Sequence, residues 1–469
     1  MNLSTQTRVP TKGGLSTWQI AVLISAAAAP LSGVVATGPI ALIFGNGAGL
    51  PGIFLIVAAL MIVFGLGYTA LIREIPGEGA FYRYLSVVFG SGVGNGAACV
   101  AMLAYLSLTT AVGIGTAYFA DFTLSQFGLH FGFVPWAVIL IGVVALLGRA
   151  NVDIAAKVVV PMIVIEFSLL LALIVAIVFH KGVETFPTAA LAPHYVFGAG
   201  AGVSLMIVVA CFIGVESAAL YASEASNPDR SIPRATIAAI LIISLIYFPT
   251  FWAIVGDLGV GKIGAIAAAG QTSSDMQQGL ILRLFGTNIS LTVQGIVAVL
   301  LCTSNFASFI ALHNAAARYV HTLSLHRIIP SALSVQKNTD SPARASLATT
   351  AAETFAVVLV VLAHFDYVVA FAPLYALGVT GVIALQAVVA AAVVTFFVRR
   401  GDKRTFVTVI APSVAFLGFV VTGFLIAQNY GILAGSESIY VRLSPLAFVA
   451  VFTIGFMRRR RVGISATPI

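Results

Sequence analysis

Apolar stretches long enough to cross a lipid bilayer recur along this chain, and they limit its fold more than any motif does. About twelve can be counted, over residues 17–44, 50–72, 88–120, 133–148, 155–179, 198–225, 234–256, 288–320, 345–363, 366–398, 405–428 and 442–457. Lipid satisfies no backbone N–H or C=O group, so such a chain spans the bilayer as helices. The expected fold class is an all-α integral membrane protein. Charged residues make up 9% of the chain, against roughly 25% in soluble proteins, which excludes a soluble enzyme. The first apolar stretch is too long for a cleavable signal peptide and lacks a cleavage pattern.

Charge gives the expected orientation. With the N-terminus in the cytoplasm, alternation collects Arg8, Lys12, Arg73, Arg83, Arg149, Lys157, Arg230, Arg234, Arg318, Arg327, Lys337, Arg344, Arg399, Arg400, Lys403, Arg404 and Arg458 to Arg461 on the cytoplasmic side. Only Lys181, Lys262, Arg283 and Arg442 fall outside, a split of 20 against 4. The positive-inside rule then puts both termini in the cytoplasm of a cell-membrane protein. It also explains the net charge of +8 without a nucleic-acid partner. Cys99, Cys211 and Cys302 all lie in apolar segments and read as packing residues or cavity thiols, not as disulfides or a zinc site. No dinucleotide fingerprint or phosphate loop is present, so no cofactor is expected.

Two spans carry break signals. The first contains Ala29-Pro30-Leu31-Ser32-Gly33-Val34 and then Gly38-Pro39; the sixth contains Phe212-Ile213-Gly214-Val215-Glu216. They are five spans apart, the pattern of an inverted-repeat transporter with its site at mid-membrane. The expected organisation is a cytoplasmic tail (1–16) and a core (17–398) of two inverted five-helix repeats, about 17–180 and 198–398. Two additional spans (399–457) and a basic tail (458–469) follow. The first and sixth spans are expected to be discontinuous. Glu216, in an otherwise apolar run, costs several kcal/mol at this depth unless it meets a cavity or a partner. Gly214 beside it can open the helix. After the sixth span, Ser231 is expected to cap a helix with Pro233 in its first turn. Ser273-Ser274-Asp275 is expected either to cap a short helix over 276–285 or to lie in a solvated loop.

Phe212-Ile213-Gly214-Val215-Glu216-Ser217-Ala218, followed by Glu224, Asn227-Pro228, Arg230 and Ile232-Pro233, closely resembles the sixth-helix signature of the amino acid–polyamine–organocation permease superfamily. Pro76-Gly77-Glu78-Gly79-Ala80-Phe81-Tyr82-Arg83-Tyr84, and Ala317-Arg318-Tyr319 through Ile329-Pro330, are also similar to that superfamily. The resemblance covers roughly residues 17 to 400. It implies a LeuT-like fold and transport of amino acids or amines. Many members carry a Gly-Ser-Gly turn in the first helix; here the matching stretch is Leu31-Ser32-Gly33.

Where a helix restarts after a break, its first amides lack intrahelical partners and suit a carboxylate. The resemblance implies that Ser32 and Gly33 hold the substrate carboxylate, with Val34 and Ala29 beside them. The alternative is that Pro30 and Gly33 only kink a packed helix. It also implies that Ala210 and Ile213 offer carbonyls to the substrate ammonium. Phe212 can cover the substrate as a gate or belong to the core. Glu216 has three roles open to it: a proton-coupling carboxylate, since burial penalises the charged form; a latch to a tyrosine such as Tyr375; or a tie for unwound backbone. Glu166 falls near a position where several proton-coupled relatives carry a lysine in place of a sodium ion. It is read as a coupling group or as a carboxyl paired between helices. Thr303, Ser304 and Ser308 are weak sodium ligands or ordinary helix contacts. Glu353 is expected to reach the membrane interface and to need no role.

The expected function is a secondary transporter working by alternating access and coupled to protons, with neutral or apolar amino acids favoured. An exchanger or a polyamine transporter of the same fold is the alternative, and a non-transporting sensor is a remote one. A membrane enzyme needs acids, histidines or metal ligands gathered at one interface, whereas the seven histidines scatter mostly over loops and ends. The expected partners are a small-molecule substrate and lipid, and the chain is a monomer or a homodimer.

Overall fold

A computed structural model of the chain describes residues 14–75, 80–125, 128–149, 152–222, 225–334, 342–365 and 367–458. The Pro76 to Gly79 part of the second motif, Glu224, Arg8, Lys12, Lys337 and Arg459 to Arg461 lie outside these residues.

Ser16 opens the first helix, α1 (Thr17–Ala27), through a capping box. Its hydroxyl accepts from the Gln19 amide at 3.3 Å, and Gln19 Oε1 accepts from the Ser16 amide at 2.9 Å. Helical geometry then stops. Ala29 takes φ 44°, and the chain resumes as the short α2 (Pro30–Ser32), a π-turn over Gly33–Thr37, and α3 (Gly38–Ile43). Next come α4 (Leu50–Glu74), α5 (Phe81–Phe89), α6 (Ser91–Ser125), α7 (Phe133–Arg149), α8 (Val152–Lys181), the single turn α9 (Pro193–Val196) and α10 (Ala201–Ala210). A turn through Gly214, at φ 107°, separates α10 from a tighter 3-10 segment over Val215–Tyr221. The remaining helices are α11 (Pro228–Leu258), α12 (Ile263–Gly270), α13 (Ser274–Asn288), α14 (Leu291–Leu325), α15 (Ala343–Leu362), α16 (Tyr367–Arg399), α17 (Ala411–Gln428), α18 (Tyr430–Ala434), α19 (Ile439–Leu443) and α20 (Leu446–Met457).

Eleven segments among the described residues are long and apolar enough to span a membrane. The expected fourth span is α7, whose 17 residues rise roughly 25 Å, near the lower limit for crossing. Two helix starts differ from expectation. Pro228 occupies the first position of α11 with Asn227 as its N-cap, so Ser231 is not a cap and Pro233 lies inside the helix. The fixed φ of Pro228 suits a helix start three residues before Ser231. Ser273 does cap α13, accepting from the Met276 amide at 3.3 Å, but that helix continues to Asn288.

The central helix is α6, packed against α14, α16, α5 and α20. The first span sits on α11, α14 and α8, while α4 joins α11 to α17. Burial separates centre from rim: 94% of the Ala201–Tyr221 span is inside, against 6% of Ile439–Met457. Large apolar side chains such as Leu146, Phe179, Leu245, Leu362 and Met457 face outward, as a lipid-facing surface requires.

Both ends of the described chain meet at one end of the bundle, called here the terminal end. Ser226 donates its amide to the Leu15 carbonyl at 3.0 Å, and the Arg318 guanidinium lies 4.5 Å over the Tyr221 ring. Further along the same helix, His326 packs on Tyr82 at 4.2 Å, and the Arg458 guanidinium donates to the Ile328 carbonyl. Asp402, in the loop after α16, is held below the ordinary carboxylate range by hydrogen bonds from Arg404. The Arg404 side chain is half exposed, so this surface pair contributes little stability.

Candidate functional site

The two interruptions lie against each other. A Cβ placed on Gly214 would sit 2.6 Å from the Ala27 Cβ, so only glycine allows both the positive φ and this approach. Pro30 causes the first interruption. It lacks an N–H and disfavours helical geometry at Ala29. Gly33 is needed for a different reason: a Cβ there would fall 2.1 Å from the Tyr247 hydroxyl oxygen.

The backbone groups freed at the first interruption are matched by side chains from three other helices. The Leu31 amide donates to Glu166 Oε2 at 3.0 Å, and the Ser32 amide donates to Ser304 Oγ at 3.2 Å. Ser304 Oγ donates in turn to the same Glu166 oxygen at 2.8 Å. The Ala27 carbonyl accepts from Ser308 Oγ and the Ala28 carbonyl from Tyr247 Oη, both at 2.9 Å. Ser32 Oγ donates to Asn305 Oδ1 at 3.0 Å. The Gly33 amide bonds back to the Ala29 carbonyl at 2.7 Å. Glu166 is fully buried, and its second oxygen, Oε1, has no hydrogen-bond partner among the described residues.

The second interruption is tied by its own acid. Glu216 folds back so that both carboxylate oxygens accept from the Gly214 amide, at 3.2 and 3.3 Å. Tyr105 Oη donates to Oε1 at 2.5 Å, and Gln386 Nε2 donates to Oε2 at 3.0 Å. Tyr68 Oη donates to the Glu216 carbonyl at 2.9 Å. Among the described residues, every hydrogen bond of this carboxylate is one it accepts, the pattern of an ionised carboxylate.

Beside the two interruptions lies a cavity of about 470 Å³, within the roughly 300–1,000 Å³ of small-molecule sites. Ala29, Ser32, Gly33, Ala210 and Ile213 from the expected pocket line it, with Cys211, Ser308 and Tyr375. The rest of the wall is largely apolar, including Leu108, Val112, Met206, Ile207 and Phe371. It reaches Phe44, Phe119 and Gly431, away from the terminal end. Val34, Phe212, Gly214, Glu216, Glu166 and Ser304 are not part of the wall; Val34, Phe212, Glu216 and Ser304 are fully buried. Tyr375 stacks on Phe371 at 5.3 Å, while the tyrosine bonded to Glu216 is Tyr105. Thr303 Oγ1 donates to the Leu300 carbonyl at 2.9 Å.

Tyr105, Asn305 and Gln386 carry no motif, but each is a polar residue within an apolar span, a signal that marks function or pairing. One expectation fails. Glu353 does not reach an interface: it is 1% exposed and turned toward α14 and α6, where His313 and Thr109 bond to it.

Comparison with known proteins adds the lineage. The family model described as amino acid permease matches residues 15–456. The chain is 28% identical over 295 residues to the L-methionine/branched-chain amino acid exporter YjeH of Escherichia coli, covering 61% of this chain and 64% of that protein. It is also 28% identical over 202 residues to the aspartate-proton symporter of Bacillus subtilis, covering 40% of this chain and 38% of that protein. The matched region thus spans under two thirds of either relative.

Proposed function

The chain belongs to the amino acid permease family, and from that premise we propose that it moves amino acids with apolar side chains across the cell membrane by alternating access, coupled to protons. It is a multi-pass membrane transporter, not an enzyme. In this reading the core consists of two inverted five-helix repeats with discontinuous first and sixth spans. Two further spans follow, and both termini are cytoplasmic.

The cavity beside Ser32 and Ala210 carries the proposal. Its wall offers backbone at both interruptions and apolar side chains elsewhere, which suits a zwitterion with an apolar side chain. Ser32 and Gly33 are assigned the substrate carboxylate, and the carbonyls of Ala210 and Ile213 the ammonium. Because the Ser32 amide bonds Ser304, a carboxylate binding there takes the place of that hydroxyl. Tyr375 and Phe371 form the cover on the far wall. The methionine and branched-chain exporter among the relatives favours the same substrate class.

The two buried acids are assigned different roles. Glu216 already accepts on both oxygens, so taking a proton requires Tyr105 or Gln386 to reverse its hydrogen bond; this supports a structural tie. Glu166 Oε1 is unpartnered, so it can take a proton without disturbing Leu31 or Ser304; this supports the coupling role. Sodium is the lesser reading, and the symporter relative favours protons.

Uptake of labelled methionine or leucine into proteoliposomes, against unlabelled amino acids and diamines, tests the proposal. Apolar amino acids are expected to compete and diamines not to, with Ser32→Leu abolishing uptake. Competition by diamines alone would move the site to the polyamine reading, and no uptake with any amino acid would reject transport.

A further inference from the structure

One wall of the cavity comes from outside the two expected repeats. The connection between the last two spans, α18, supplies Gly431, Ile432 and Leu433, with Gly435 just beyond it. It packs on α16 and is fixed by its own ends. Tyr430 and Ala434, one turn apart, are both buried, and Tyr430 Oη lies 2.9 Å from Ser444 Oγ. Gly435 ends the helix at φ 61°, and the Ser436 amide donates to the Gly431 carbonyl at 3.0 Å, a glycine-terminated helix end. The chain then folds back: a Cβ on Gly431 would fall 2.1 Å from Glu437 Oε1, and Glu437 Oε2 lies 3.4 Å from the Arg442 guanidinium. These two charges are paired beside α18, while the residues that α18 gives to the wall are uncharged.

Exposure changes in one direction along this cavity. Leu108, Met206 and Leu312 are at most 2% exposed. Phe44, Tyr118, Phe119 and Phe371 are half-buried. Among the lining side chains Ile40 of α3 and Ile432 of α18 are the most exposed, at 37% and 44%. The floor therefore lies by Leu108 and Leu312, and the opening by Ile40 and Ile432. On α6, Leu108 and Phe119 differ in rise by about 16 Å, so a substrate held at Ser32 passes an apolar channel to reach it. An apolar constriction selects by shape and not by charge.

We propose that α18 is part of the substrate path, and that Ile432, at the cavity opening with Ile40, is a specificity-determining residue that limits the size of the side chain admitted. Small apolar amino acids pass it freely, and those as large as phenylalanine are held back. The selectivity rests on the proposed function; the placement of α18 at the opening does not.

Two measurements test this. The full chain in nanodiscs, with Cys99, Cys211 and Cys302 replaced by alanine, carries Ile40→Cys and Ile432→Cys together and is treated with a flexible bifunctional thiol reagent. Mass spectrometry is expected to find the two positions bridged, and no bridge when Ile40→Cys is paired with Val449→Cys on the outward face of α20. Introduced thiols that stay unreacted, or react without bridging, overturn the placement of α18. On the native chain in proteoliposomes, unlabelled alanine and phenylalanine compete with labelled leucine. Ile432→Trp is expected to weaken phenylalanine relative to alanine at least about threefold, and Ile432→Ala to strengthen it. A ratio unchanged in both variants overturns the size role, and this arm stands even if the cysteine-free chain does not fold. Failure of the wild type to take up leucine or any other amino acid rejects the transport reading instead, and bridging still decides where α18 lies.

Discussion

Glu166 binds the backbone of Leu31: its Oε2 accepts the Leu31 amide at 3.0 Å, across 135 residues of sequence. The same oxygen accepts from Ser304, whose own oxygen takes the Ser32 amide. One buried acid thus reaches the Ser32 amide, on a cavity-lining residue, through a single hydroxyl. Under the proposed function, a substrate at Ser32 and a proton at Glu166 would act on the same short chain of hydrogen bonds.

Glu166→Gln keeps an acceptor for Leu31 and Ser304 but cannot bind the coupling proton. Counterflow is expected to stay within about threefold of wild type, while stimulation of uptake by an acidified exterior falls at least about tenfold. Glu166→Leu leaves two buried donors unpaired, and its melting temperature is expected to drop, at about 1–3 kcal/mol per donor. Uptake and thermal melts on the two variants check this.

Glu216→Gln places a donor amide against the Gly214, Tyr105 and Gln386 donors and is expected to lower the melting temperature and uptake together. Tyr105→Phe removes one donor and is expected to cost about 1–2 kcal/mol without changing the pH profile of uptake. Thermal melts and uptake at several pH values check both, and a changed profile in Tyr105→Phe would return Glu216 to the coupling role.

Gly33→Ala drives a methyl group into the Tyr247 hydroxyl. Tyr247 also holds the Ala28 carbonyl, so the substitution is expected to reduce uptake at least about tenfold. Ala210→Gly, also on the wall, adds no bulk and is expected to cost less than about threefold; uptake measured side by side makes the comparison.

Cys211 lines the cavity, whereas Cys99 lies in a separate apolar cluster beside Tyr82 and Leu323. A bulky thiol reagent is expected to block uptake in wild type and to spare Cys211→Ala. Saturating apolar amino acid is expected to slow the block several-fold, as read by rates of inactivation.

Much of the architecture was legible because a bilayer leaves few choices. Apolar length marked the spans, and Pro30, Gly33 and Gly214 marked where backbone geometry changes. Residue-by-residue partnership was not legible. Tyr375 was one candidate partner of Glu216 among three open readings, whereas the tyrosine bonded to that carboxylate here is Tyr105 on α6. Glu353 looked like an interfacial acid from its position near the end of a span. Its burial depends on which face of α15 meets α14: Ser346, Thr349 and Glu353 share the buried face, so a reading that turns polar side chains outward misplaces it. The start of α11 was missed because Ser231 offered a cap signal, while Pro228 supplied the actual start.

Protein reconstituted into liposomes loaded with a pH-sensitive dye, and given methionine or leucine outside, puts Glu166 and the cavity to the test in one experiment. Substrate is expected to acidify the lumen in wild type and to leave it unchanged in Glu166→Gln, while labelled substrate still exchanges in that variant. Equal acidification in both proteins, or uptake by wild type with no proton movement, contradicts the assignment of the coupling proton to Glu166.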